Sequence, residues 1–154
     1  MSAGVVAFRF GYGLPLAPGA PATADTLLAA LAGPDEMAAR FTIPSFDWQH
    51  ARSSEIARSK KAAETDPAVA ARIADLDEEL EQAGFRALKA TMARAVEAKD
   101  SFRERLMAFW ADHFTVSNSG REQALTPVSF AEDALRPYLT GRFGDMLSAV
   151  VHHP

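Results

Sequence analysis

The chain has 154 residues, of which 48% are apolar and 23% charged, and it contains no cysteine. That composition fits a globular chain large enough to bury a core, and it excludes wholesale disorder, disulfide frameworks, thiolate nucleophiles and cysteine-ligated metal sites. Sixteen basic and twenty acidic side chains, with a net charge of −4 and only a short basic run from Arg58 to Lys61, give a nucleic-acid partner little electrostatic support.

The opening segment carries Gly4, Gly11, Gly13 and Gly19 together with Pro15, Pro18 and Pro21, so residues 1–22 are expected to be extended or looped. Thr23 or Asp25 can cap the run TLLAALA, Gly33 sits where a left-handed residue ends a helix, and Pro34 suits the first turn of PDEMAARF. From Phe46 to Glu64 only Phe46, Trp48 and Ile56 are large and apolar, which predicts a peripheral helix whose charged positions are solvated.

The strongest helical signal runs from Asp66 to Lys99. Asp66 caps, Pro67 takes the first turn, and Val69, Ile73, Leu76 and Leu80 recur at helical spacing. After Gly84 the large apolar residues are Phe85, Leu88, Met92 and Val96, out of step with the first stripe; the shift predicts a kink or break at Gly84. Ser101 with Glu104 matches a capping box and opens the helix SFRERLMAFWADHFTVS. Asn118 to Gln123 reads as a polar loop, Thr126-Pro127 as a cap followed by proline, and FAEDALRPYL as a helix ended by Pro137 and Gly141. FGDMLSAVVHHP supplies the last helix, with an apolar stripe of Met146, Leu147, Val150 and Val151. No alternating pattern suggests a strand, so the expected fold is all-α: an irregular multi-helix bundle with a non-helical amino-terminal segment, forming a single domain over residues 1–154.

No segment approaches the roughly 20 apolar residues that span a bilayer, and no charged n-region leads into an apolar run. The expectation is no membrane contact and, by default, a cytoplasmic location.

Chemistry-bearing residues are few. On the helix from Ser101, the residues Phe102, Leu106, Phe109, Trp110 and His113 share one face, which predicts that His113 is buried. It is then either a core histidine bonded to a carbonyl or distant side chain, the commoner case, or a ligand or base in an interior site. A metal there needs further ligands, for which Glu132, Asp133, His152 and His153 are available. Adjacent histidines on a helix diverge by about 100°, so only one of that pair readily joins such a site. No HExxH or paired-carboxylate spacing occurs, GYG at Gly11 to Gly13 lacks the strand and helix of a phosphate loop, and Ser117 and Ser119 have no nucleophile elbow. Neither a cofactor nor a bound metal is expected.

Three blocks in order, RFGYG, then RAVEAKDSFRERLMAFWADHF, then EDALRPYLTGRFGDMLSAVVHHP, resemble the amino-terminal part of an uncharacterised bacterial family, the domain of unknown function 1800 (DUF1800) family. The blocks cover about a third of the chain. The motif-matching positions are Arg103, Arg105, Trp110, His113, Glu132, Arg136, Gly141, Phe143, His152 and Pro154, and the resemblance gives none of them a catalytic role. The chain departs from the family pattern at Tyr138, where histidine is common, and at Asp112, where asparagine is usual; the tyrosine removes any histidine-based role there. The resemblance further implies a longer protein that continues past Pro154 and an association with sulfatase-like proteins. The leading expectation is a packing or interaction module that meets the remainder of its own chain, a protein partner or a second copy of itself. The alternative is part of an enzyme, metal-dependent and hydrolytic, with an incomplete site around His113, for which Glu132, Arg136 and His152 are the other candidates.

Overall fold

The computed structural model describes residues 3–99, 101–116 and 125–154. The predicted loop from Asn118 to Gln123, with Ser117 and Ser119, lies outside them. The described residues are helical, with α1 Ala3–Phe10, α2 Ala24–Ala32, α3 Glu36–Arg40, α4 Phe46–Ala63, α5 Pro67–Glu97, α6 Phe102–His113, α7 Thr126–Phe130, a π-turn Ala131–Leu135, a 3-10 turn Arg136–Tyr138, and α8 Phe143–His152. Among the described residues there is no strand, and no helix is long and apolar enough to cross a membrane.

Helix α1 corrects the expectation of a non-helical start. The glycine and proline punctuation falls mainly on residues 11–22, whereas Val6 and Ala7 are buried and Phe10 packs edge-on against Phe102 at 5.8 Å. The helix ends where Gly13, at φ +75, donates its N–H to the Ala7 carbonyl at 3.0 Å. A left-handed φ is the conformation that glycine adopts at least cost. Thr23 caps α2 by accepting from the Thr26 amide, as expected. Gly33 is not left-handed but extended, at φ −76 and ψ −179, and Asp35 rather than Pro34 starts α3, accepting from the Ala38 amide at 3.0 Å.

Helices α4 and α5 form an antiparallel hairpin. Asp66 caps α5 through the Ala68 amide at 2.9 Å with Pro67 in the first turn. Ile56, Leu76 and Leu80 bury against one another with Trp48 and Ile73 at the edge, each large side chain contributing about 1.5–3 kcal/mol of hydrophobic stabilisation. Arg52 lies 3.7 Å over the Trp48 ring and forks onto Glu79 at 2.8 and 3.3 Å.

No break occurs at Gly84, because α5 is continuous from Pro67 to Glu97. Beyond Leu80 the buried positions are Ala83, Ala87, Ala90 and Arg94. They continue the alternating four-and-three spacing of the stripe that begins at Val69, so one face stays inward along the whole helix. At about 100° per residue, Phe85, Leu88, Met92 and Val96 fall on the opposite side, and all four are more than half exposed.

A second core joins Met107, Phe130, Ala131, Ala134, Leu135, Leu139 and Met146. The π-turn within it precedes Pro137, which offers no N–H to the carbonyl four residues back, so the backbone there cannot continue in regular α register. Helix α7 begins at Thr126 with Leu125 in the cap position and no side-chain cap; the Thr126 hydroxyl instead accepts from Gln49 Nε2 at 2.7 Å. The expected stripe on α8 divides. Met146 is buried and Val150 packs against the core, while Leu147 and Val151 are exposed.

Candidate functional site: a buried charge network beside an apolar cleft

The most distinctive feature of the interior is ionic. Arg136, at the junction of the π-turn and the 3-10 turn, bonds Glu104 of α6 with both guanidinium ends, Nη2 to Oε2 at 2.7 Å and Nη1 to Oε1 at 3.1 Å. The same Nη1 reaches Asp35 Oδ2 at 2.8 Å, and Nε donates to Glu132 Oε1, four residues back, at 2.9 Å. That Glu132 oxygen also accepts from Arg94 Nη1 at 2.7 Å. Arg94, only 1% exposed, gives its Nε to the Phe41 carbonyl at 2.9 Å and directs Nη2 to the same oxygen. Arg103 Nη2 caps the end of α2 through the Leu31 and Gly33 carbonyls, at 2.5 and 2.8 Å, with Nη1 3.8 Å from Asp35.

Three guanidiniums thus meet three carboxylates, and the cluster is formally neutral. Burying a charge is costly unless it is paired and hydrogen-bonded, and here the pairing ties α2, α3, α5, α6 and the π-turn together. Burial acts to make the Arg136 guanidinium easier to deprotonate, but the Glu104 hydrogen bonds and the Glu132 charge outweigh it and hold it protonated well above its ordinary range. Burial likewise acts to raise the Asp35 carboxyl; the Ala38 amide and the Arg136 guanidinium reverse that and hold it below its ordinary value. Burial, followed by the Glu104 charge, pushes the Tyr12 phenol up, and that hydroxyl donates to the Glu104 carbonyl at 3.1 Å.

The network forms the floor of a cleft of about 240 Å³ in which Tyr12, Glu104, Glu132 and Arg136 face an apolar wall that includes Met107 and Phe114. A second cleft, about 260 Å³, lies on the other side against Asp35, Arg103 and Glu104. A general base needs a carboxylate able to take a proton near the working pH. Asp35 is shifted the other way, and both Glu104 oxygens are held by Arg136. The arrangement clamps helices together.

The sequence candidates separate. Glu132 and Arg136 are brought together in the network. His113 is exposed at the end of α6, which corrects its expected burial. It lies parallel to Phe109 at 6.4 Å and edge-on to Trp110 at 5.7 Å and Phe114 at 4.8 Å, and Phe109 is itself 59% exposed. Glu104 is held inside by Arg136, so the inward side of α6 carries Glu104 and Met107, with Leu106 and Trp110 half-buried against the same core. Phe109 and His113 lie at the exposed edge, and Phe143 covers part of the aromatic group, its ring 5.6 Å from Trp110. The predicted capping box fails for the same reason, and Ser101 Oγ donates instead to the Ala95 carbonyl at 3.0 Å.

His152 is also exposed, with Nδ1 2.8 Å from the Ser148 carbonyl. The enclosed histidine is its neighbour His153, edge-on to Phe46 at 4.9 Å and to Phe130 at 5.2 Å, with Nε2 4.0 Å from Asp133. Among the described residues no group of three or more histidines and carboxylates is placed to hold a metal ion, so the set His113, Glu132 and His152 does not form a ligand cluster there. Sequence reasoning missed Arg94, Glu104 and Asp35 as members of the site. The signals available were the four-residue spacing of Glu132 and Arg136, suited to a pair on one helical face, and the position of Arg94 in the buried register of α5.

A family model described as Protein of unknown function (DUF1800) matches residues 7–154, well beyond the three blocks quoted above. No curated protein and no solved structure matches the chain.

Proposed function

The chain belongs to the DUF1800 family, whose description carries no activity, and from that premise we propose that it is a helical interaction module rather than a catalytic centre. The observation that carries this reading is the inversion along the second half of α5. Arg94 lies inside while Phe85, Leu88, Met92 and Val96 lie outside. A row of large apolar side chains along one exposed helix face is the form of a docking surface. The buried ion pairs support that role by fixing the helix so that its apolar face points outward.

The test is a double substitution, Phe85→Glu with Met92→Glu, studied at a dilution where chains do not associate. The expected outcome is a helical content and unfolding midpoint close to those of the parent, together with loss of native-state binding of a hydrophobic dye. Collapse of the fold would place the stripe in the core and end the proposal.

A further inference from the structure

Resting on that reading, we propose that the outer face of α5 is a self-complementary seam that pairs two copies of this chain with their α5 helices antiparallel. The stripe formed by Phe85, Leu88, Met92 and Val96 is centred near Ala90. A two-fold axis through that point sets Leu88 of one copy across from Met92 of the other, and Phe85 across from the turn that holds Val96. Two like apolar patches then cover each other, as an isologous contact requires.

The charges around the stripe choose the direction. Asp77, Glu78 and Glu81 are exposed at its amino-terminal end, and Lys99 is exposed just past its carboxy-terminal end. Glu81 and Lys99 lie equally far along the chain from Ala90. An antiparallel pair therefore brings Glu81 of each copy to Lys99 of the other, twice, whereas a parallel pair sets acid against acid and base against base. Among the described residues Lys99 has a loose contact with Glu36, 3.7 Å apart with both side chains largely exposed, and such a pair holds it weakly. Lys89, exposed beside the proposed axis, faces its own copy there; that repulsion weakens the contact and makes the dimer concentration-dependent.

Light scattering over a concentration series is the first measurement, with the mass expected to rise from one chain towards two. Glu81→Lys and Lys99→Glu should each raise the dissociation constant, by roughly tenfold for two attractions turned into repulsions, and the double reversal should restore the parent value to within about threefold. The chain has no cysteine, which permits a second test. Glu81→Cys with Lys99→Cys places one thiol on α5 and the other just past its end at Glu97, which is roughly 24 Å further along the helix, far beyond the span of a disulfide within one chain. A covalent dimer formed by the double variant and not by either single variant identifies the antiparallel register. A monomer at every concentration overturns the inference, as does a dimer insensitive to both charge reversals. The dye-binding result above is independent of both, so failure of the seam and failure of the interaction-module reading are told apart.

Discussion

The two halves of α5 are one continuous helix with opposite dress. In the first half Leu76 and Leu80 are buried against Ile56 of α4, and the acids Asp75, Asp77 and Glu78 face solvent. In the second half the inward positions hold Ala83, Ala87, Ala90 and Arg94, and the large apolar residues are outside. Hydrophobic burial holds the first half in place; small residues that permit close approach, and one charge bonded across the core, hold the second. Position on the helix decides what faces inward, and hydrophobicity alone does not.

The sharpest way to break the comparison is to remove the charge. Arg94→Ala deletes one of two donors to Glu132 and both bonds to the Phe41 carbonyl, leaving polar groups in the interior with fewer partners. A loss of about 3–5 kcal/mol is expected from denaturant melts, as large as the roughly 2–5 kcal/mol for Leu76→Ala in the other half. A loss of under about 1 kcal/mol, the range of exposed ion pairs, would show Arg94 to be a surface residue and the two halves to be alike.

Acid sharpens the comparison, since it acts on the ionic part alone. Asp35 has a folded-state carboxyl held below its ordinary value of 3.8, so its contribution is fully present above the unfolded value and is lost as pH falls through the lower folded one. At neutral pH the parent should therefore be more stable than an Asp35→Asn variant, by less than the Arg94 effect. That difference should close below about pH 4. A difference that stays constant through this window would show that the Asp35 charge does not contribute.

How much of this was legible follows from the same contrast. The all-α class, the caps at Thr23 and Asp66, and the pairing face from Val69 to Leu80 could be read because local spacing and local hydrogen bonds determine them. The register also ran on through Ala83, Ala87 and Ala90, but alanine is a weak marker of burial beside Phe85 or Leu88, and the larger residues drew the prediction to the wrong face. Arg94 is found inside because its partners are Phe41 and Glu132, 53 and 38 residues away in sequence, and no local pattern announces that meeting. The expected burial of His113 failed for the same reason one helix later, where Glu104, held by Arg136, takes the inward side with Met107, and Phe109 and His113 are left at the exposed edge while Trp110 still packs on the core.

The smallest effect tests whether the two halves are truly one helix. Gly84 sits at the junction, where a kink was expected. A Cβ built on it meets nothing within 4 Å, and its φ does not lie in the left-handed region. Glycine in a helix interior costs about 0.5–1 kcal/mol relative to alanine, because the unfolded chain has more freedom to lose. Gly84→Ala should therefore stabilise the protein by that amount, seen as a higher denaturant midpoint with an unchanged slope. Were α5 two helices meeting at a flexible joint, alanine would stiffen the joint against the bend and the midpoint would fall. A rise requires the inward register to pass unbroken from Leu80 to Ala83, which is the condition for the apolar residues beyond Gly84 to face outward.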